Sequence, residues 1–591
     1  MENGSFGNPE PSSLGPSPSR SLAPNQTNKT KRSKTKPILL ILAALLVASA
    51  ACAAAVAAAV RRKGDSGGVS RLQVRRPSKA ISVACGLTEY RELCLSSLAE
   101  FPAAATASLK EIVHVSVNDT LRRLGRALDA ASNISRLDMD NYTRSAIDGC
   151  LELLEDSSDQ LSRSLNYNGS AQDVMTWLSA GMTNINGCAD GLDEVGAGEV
   201  KDRMTAELRN LSELVSNCLA MYAVAADFSG VPANSLGRRL MGAAAVAASG
   251  GFPAWLSRRD RRLLEKPAAE LKVDVVVSPD GNGTCRTIEE AIKKAPENGG
   301  RRFIIHVRAG RYDEKILKVG RTKRNLMFIG DGKGKTVITG NKSVADNMTT
   351  FHTASFAATG NGLILKDITF ENLAGPINHQ AVALRIGADY AVIYNCNIIG
   401  YQDTLYVHSQ RQFYQGCDIY GTIDFIFGNA AVVFQSCNIY ARKPLPSQKN
   451  TITAQSRQDP NQNTGISIHN CSIMAEPDLM ANKNEYPTYL GRPWKSYAQT
   501  VYMLCNISDN INPKGWLEWN QSSFALDTLY YGEYKNYGPG AVTMQRVNWT
   551  GYHAVMSADE ANKFTVDRFL SGSSWLPSTG VAFEGGLGIV N

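Results

Sequence analysis

The sequence predicts a multidomain protein of mixed class: an all-α helical bundle followed by an all-β parallel β-helix. Three observations carry this. A Cys-x-Ile unit starts at Cys396, Cys417 and Cys437, with a looser copy at Cys471. The first three copies are spaced by 21 and 20 residues, and a short-strand unit recurring at that period marks a solenoid. Upstream, leucines follow helical spacing (Leu121, Leu124, Leu128, then Leu151, Leu154, Leu161, Leu165), and strand signals are scarce. Finally, 591 residues exceed one ordinary domain.

The elements follow in order. Residues 1–36 are rich in Ser, Pro, Asn and Lys without apolar periodicity and read as a disordered basic tail. Residues 37–62 read as a signal anchor. Ile38 to Val60 is an uncharged apolar run of 23 residues, long enough to span a bilayer. Lys29, Lys31, Arg32, Lys34 and Lys36 precede it, and Arg61, Arg62 and Lys63 follow. That excess favours a cytoplasmic N-terminus and a lumenal remainder, a type II membrane precursor. A cleaved signal peptide is the competing reading, which the Ala-rich second half keeps open.

Residues 80–235 read as an up-down bundle of four helices with Gly/Asn/Asp loops. Residues 236–268 are an Ala/Gly linker framed by Arg238-Arg239-Leu240-Met241 and Arg261-Arg262-Leu263-Leu264. These are candidate processing sites for a secretory protease, placed where nicking concentrates. From 270 to 591, short β-branched runs such as Val273–Val277, Phe303–Val307, Val337–Thr339 and Ala431–Phe434 alternate with Gly, Asn and Asp. One short helix is expected at Ile288–Lys293.

Composition narrows the function. Hydrophobic residues make up 43% and charged residues 20%, and the formal charge is +7. That balance suits work on a polyanion, but no aromatic-basic motif points to nucleic acid. The histidines and the twelve cysteines lack metal spacing, no phosphate loop is present, and no cofactor is implied. Gly330-Asp-Gly-Lys-Gly-Lys-Thr336 reads as a turn between strands. Asn-x-Ser/Thr sequons at Asn118, Asn133, Asn141, Asn168, Asn210, Asn282, Asn341, Asn347, Asn470, Asn506, Asn520 and Asn548 fit a secretory glycoprotein, in which disulfides are permitted.

The chemistry rests on two aspartates. Asp403 and Asp424 each lie seven residues after a repeat cysteine. Equivalent positions of successive coils stack about 4.8 Å apart, and carboxylates that close push their pKa values apart. One can then serve as nucleophile or base while the other is an acid. A lone Asp in a β-rich chain is usually a turn residue, but a buried like-charged pair is seldom kept for stability. Gln380 and Gln402 are candidate amide donors to an oxyanion. Arg492 can hold an ionised Asp, and Trp494 can wall a sugar cleft. Tyr401, Tyr406, Phe425, Phe427 and Trp516 are further candidates for that wall, some of them necessarily core.

Five ordered stretches carry a resemblance: Gly310-Arg-Tyr-Asp-Glu314, Gln380-Ala-Val-Ala-Leu384, Tyr401-Gln-Asp-Thr-Leu405, Asp424-Phe-Ile-Phe-Gly-Asn-Ala430 and Leu490-Gly-Arg-Pro-Trp494. Over roughly 270–591 the chain resembles plant pectin methylesterases (pectinesterases). Residues 80–235 look like the pectin methylesterase inhibitor domain that forms the pro-region of longer members. The resemblance implies a right-handed parallel β-helix without metal or cofactor, acting on methyl-esterified pectin (homogalacturonan). It implies Asp424 as nucleophile, Asp403 as general acid and later base, and Gln380 and Gln402 as substrate and oxyanion contacts. Arg492 would orient Asp424, Trp494 would line a sugar subsite, and Thr350 would touch substrate. It also implies disulfides Cys85–Cys94 and Cys150–Cys188 with Cys218 free, and favours Cys417–Cys437 in the β-helix. A subtilisin-like protease would release a mature enzyme to the cell wall. Two readings compete: a β-helix pectin glycoside hydrolase, whose carboxylates would cleave the chain, and a non-catalytic inhibitor or carbohydrate-binding protein.

Overall fold

The computed structural model describes residues 78–165, 170–228, 272–314 and 317–588. The expected tail at 1–36, the anchor at 37–62 and the motifs at 238–241 and 261–264 lie outside them, as does Asn168. Among the described residues, no helix is long and apolar enough to cross a membrane. Pro77–Asn591 forms one compact unit.

Its first part is helical: α1 (Lys79–Cys85), α2 (Arg91–Ala99), α3 (Leu109–Ile134), α4 (Asn141–Ser164), α5 (Ala171–Glu194), α6 (Glu199–Leu208) and α7 (Leu211–Phe228). The long helices α3, α4, α5 and α7 pack as the expected bundle. Their starts are written in the sequence. Ser108 and Ser170 cap α3 and α5 in reciprocal boxes with Glu111 and Asp173, and Asp140 accepts from two backbone N–H groups of α4. Leu124, Leu154 and Leu161 of the predicted stripes are fully buried. Cys85–Cys94 ties α1 to α2, and Cys150–Cys188 ties α4 to α5, while Cys218 is a buried free thiol.

The second part is a right-handed parallel β-helix of three sheets. Sheet A has 11 strands from Val275–Val277 to Tyr552–His553, sheet B has 7 from Leu317–Val319 to Thr488–Gly491, and sheet C has 8 from Gly310–Asp313 to Asn506–Ile507. The strands at Phe303–Val307 and Ala431–Gln435 and the helix at Ile288–Lys294 match expectation. The Gly-Lys-rich segment is a turn between the strands Leu326–Gly330 and Thr336–Gly340.

The repeat has a physical origin. Asn395, Gly416, Ser436, Asn470 and Leu504 all have φ between 51° and 61°. Each turns the chain from sheet A into sheet C and is followed by a cysteine. Cys396, Cys417, Cys437, Cys471 and Cys505 then stack inside the coil.

This stack corrects one expectation. Cys417 and Cys437 are free thiols, as are the other cysteines of the stack. They occupy consecutive rungs, as the pairing Asp418↔Asn438 shows, so their side chains run parallel. A disulfide needs its two Cβ–S arms turned roughly perpendicular about the S–S bond. Instead, Cys417 Sγ lies 3.4 Å from the Ile393 carbonyl oxygen and Cys437 Sγ 3.7 Å from that of Tyr414. Burial pushes both thiols well above their usual pKa.

Candidate active site

Sheet B carries the site. Its strands Leu405–Val407 and Ile426–Gly428 pair with Leu405 opposite Ile426. Asp403 and Asp424, each two residues before its strand, therefore sit at equivalent points of adjacent coils. Both adopt a left-handed backbone, with φ 62° and 51°, a conformation that Asp tolerates better than most side chains. The Asp403 N–H donates to the Ile423 carbonyl at 3.0 Å. Gly428 ends the second strand at φ +123°, where a Cβ would meet the Val407 oxygen at 2.3 Å.

The two aspartates have unequal surroundings. Asp424 takes Arg492 Nε at 2.9 and 3.1 Å and Nη2 at 2.6 Å, plus the Thr451 hydroxyl at 2.6 Å. The same Thr451 oxygen accepts the Asp424 N–H at 3.0 Å. Arg492 is itself stacked over the Trp519 ring at 4.4 Å. Among the described residues, no cation is hydrogen-bonded to Asp403. Burial, and then the charge of Asp424, push its carboxyl well above the usual range. The arrangement provides one carboxylate held as an acceptor and one carboxyl disposed to keep its proton.

Around this pair the predicted residues converge. The Ala381 N–H donates to the Gln402 carbonyl at 3.2 Å, so Gln380, the residue before Ala381, lies on the coil next to that of Gln402. Both are half-buried. Tyr406 stacks on Phe427 with centroids 4.2 Å apart, and Trp494 tilts over Phe427 at 5.9 Å. Of the other aromatic candidates, Phe425 and Trp516 are core, and Tyr401 packs beneath Arg442. Among the described residues no His/Cys/Asp/Glu group could hold a metal ion.

The helical part lies directly on this cleft. Tyr406, Phe427, Phe351, Val382 and Ala454 share one apolar cluster with the helix core. Glu194 Oε2, at the end of α5, accepts the Thr350 N–H at 2.9 Å and its hydroxyl at 3.2 Å. Lys495 bonds Asp190 at 2.6 Å, and Arg411 bonds Asp173 at 2.6 Å. Sequence reasoning missed Thr451, Glu194 and Trp519. Thr451 lies in an ordinary β-branched run, and the partners of Glu194 and Trp519 are distant in sequence, so nothing local marks them.

Comparison with known proteins agrees with this geometry. The family profile described as Pectinesterase matches residues 274–573, and that described as Plant invertase/pectin methylesterase inhibitor matches 79–221. The chain is 60% identical over 523 residues to "Probable pectinesterase/pectinesterase inhibitor 34" of Arabidopsis thaliana, covering 87% of each chain. It is 58% identical over 532 residues to "Probable pectinesterase/pectinesterase inhibitor 61" of the same plant, covering 88% of this chain and 90% of that one. Among solved structures, "Pectin methylesterase from Carrot" superposes with a TM-score of 0.53 at 52% identity, over 54% of this chain and 98% of that one. The chain belongs to the pectinesterase family, with an inhibitor-type helical domain ahead of its esterase β-helix.

Proposed function

We propose that the β-helix hydrolyses the C6 methyl esters of pectin through an acyl-enzyme on Asp424. The unequal environments of two stacked aspartates carry this reading. Asp424, aimed by Arg492 and Thr451, attacks the ester carbonyl carbon, and the carbonyl electron pair moves onto oxygen. The amides of Gln380 and Gln402 donate to that oxyanion. The tetrahedral centre collapses, and Asp403 gives its proton to the departing methoxide, which leaves as methanol. Asp403, now ionised, takes a proton from water as that water attacks the acyl carbon. Asp424 leaves as carboxylate, and the sugar keeps a free acid. Trp494 lines a sugar subsite and Thr350 contacts substrate.

The helical domain holds the precursor back, because Glu194 engages Thr350 and the cleft aromatics are buried under the bundle. Cleavage by a subtilisin-like protease at 238–241 or 261–264 releases the β-helix from this cover and from the signal anchor at 37–62. The mature glycoprotein then acts in the cell wall, where pectin resides. The test is methanol and reducing-end release from methylated pectin by residues 270–591. Methanol without new reducing ends is expected. New reducing ends without methanol would favour a glycoside hydrolase.

A further inference from the structure

Sheet C ends in a short edge. Its last strand, Asn506–Ile507, has two residues, and among the described residues a single bridge from Tyr537, opposite Asn506, is all that follows it. The Tyr537 N–H donates to the Cys505 carbonyl at 2.9 Å, and the Tyr537 carbonyl accepts the Ile507 N–H at 2.8 Å. The chain then leaves the sheet. It passes Gly540, where a Cβ would meet the Ser508 oxygen at 2.1 Å, and reaches Val542 and Met544. Tyr537, Val542 and Met544 are 57%, 59% and 92% exposed. A sheet edge beside exposed apolar side chains is a template for a second chain.

Asn506 stands at this edge. Ile507 is buried inside the coil, so alternation along the strand turns Asn506 outward. It closes the outward row Asp418, Asn438, Ser472 and Asn506, and it is exposed. Tyr537, bridged to it on the next rung, emerges on the same face. Gly538 follows at φ +92°, and a Cβ there would meet Asn506 Oδ1 at 2.6 Å. Glycine thus clears the space beside the Asn506 amide. Asn506-Ile507-Ser508 is a sequon for N-linked glycosylation. At the sequons of Asn282 and Asn470 the amide Nδ2 is turned back onto Asp280 and Ser436. The Asn506 Nδ2 makes no such bond to a described residue.

We propose that Asn506 carries an N-linked oligosaccharide whose first sugars pack on Tyr537 and close the edge of sheet C against a second copy of the chain. This rests on the reading of the protein as a secretory glycoprotein. In the attachment, Asn506 Nδ2 attacks the anomeric carbon of an oligosaccharide carried on a lipid pyrophosphate. The N–C bond forms as the C–O bond to pyrophosphate breaks. The pyrophosphate keeps the electron pair, and Nδ2 gives up one proton. The apolar face of a sugar ring stacks on an aromatic side chain, and the solvated, bulky remainder excludes a neighbouring strand. The catalytic aspartates precede strands of sheet B, so the glycan guards a face that ester hydrolysis does not use.

The test uses the full chain from a eukaryotic secretory host. Mass spectrometry maps its glycopeptides, and sedimentation follows its association with concentration. Ser508→Ala removes the sequon but keeps Asn506, whereas Ser508→Thr preserves it. Asn506→Gln, measured beside them, separates loss of the sugar from damage at Ser508. Wild type and Ser508→Thr should carry glycan on Asn506 and sediment alike. Ser508→Ala and Asn506→Gln should self-associate at about tenfold lower concentration, roughly the burial of one apolar side chain. Adding Tyr537→Ser to Ser508→Ala should restore the wild-type profile. Unmodified Asn506 in a chain glycosylated at other sequons overturns the proposal alone. A secreted chain without glycan at any sequon overturns it together with the glycoprotein reading. Glycosylated Asn506 whose removal by both variants leaves sedimentation unchanged overturns the guarding role.

Discussion

Replacing Thr451 with valine tests how the nucleophile is aimed. Among the described residues, the Thr451 hydroxyl is the only neutral side chain bonded to Asp424, and it acts twice. It donates to Oδ1 at 2.6 Å and accepts the Asp424 backbone N–H at 3.0 Å. Valine keeps the shape and the β-branched strand preference but removes both bonds. Thr451 is fully buried, so water does not replace them. A hydrogen bond to a charged group contributes about 1.5–3 kcal/mol. At about 1.4 kcal/mol per factor of ten, kcat should fall roughly 10- to 150-fold. KM should stay near wild type, because Thr451 touches Asp424 and not the sugar. Thr451→Ser restores the hydroxyl and should recover most of the rate, which a mere packing defect would not allow. The assay is methanol release under saturating pectin, with circular dichroism to check the fold. A Thr451→Val enzyme within twofold of wild-type kcat would refute the argument that this hydroxyl positions the nucleophile.

Other expectations follow from buried charge and from cysteine placement. Burial raises Glu194 to about 7, and burial with Glu152 raises Asp156 to about 7. Acids raised on docking favour the docked state below their ordinary values and lose that contribution as pH rises through about 7. His352, lowered to about 4 by burial and Arg385, contributes above its ordinary value and loses that as pH falls through about 4. In chain cleaved at the linker, the helical domain should therefore separate more readily at pH 7.5 than at pH 5. Glu194→Gln should reduce that difference on gel filtration; an unaltered profile would count against Glu194. Asp389 accepts two bonds from the Arg411 guanidinium and one from its backbone N–H, and both side chains are almost wholly buried. Asp389→Asn should destabilise by about 3–5 kcal/mol, read as a lowered Tm; an unchanged Tm would contradict it. Alkylation in denaturant without reductant should label Cys417 and Cys437 while leaving Cys85–Cys94 and Cys150–Cys188 intact. Recovery of a disulfide-linked Cys417–Cys437 peptide would contradict the free thiols of the stack.

How much of this was legible depends on whether the signal is periodic or spatial. The coil repeat was readable because each turn uses a left-handed residue just before an inward cysteine, as at Asn395-Cys396 and Ser436-Cys437. Counting from those cysteines put Asp403 and Asp424 in register. The leucine stripes likewise placed the bundle. The same regularity misled over Cys417 and Cys437, since equal positions on adjacent rungs bring two thiols close without requiring a bond between them, and both are free. Contacts between the two domains left no trace in the sequence. Glu194 meets Thr350 across 156 residues, and Glu152 meets Lys318 across 166. A residue at such a junction carries no local pattern, and Thr451 is hidden among strand residues for the same reason.

The central claim is that Asp424 is the attacking group. The most direct measurement is methanol release from methylated pectin by the β-helix carrying Asp424→Ala, compared with wild type at equal folded concentration. The account predicts that release falls to the uncatalysed background while pectin is still bound, because Trp494 and the cleft floor remain. Release by Asp424→Ala at a tenth of the wild-type rate or more would contradict it.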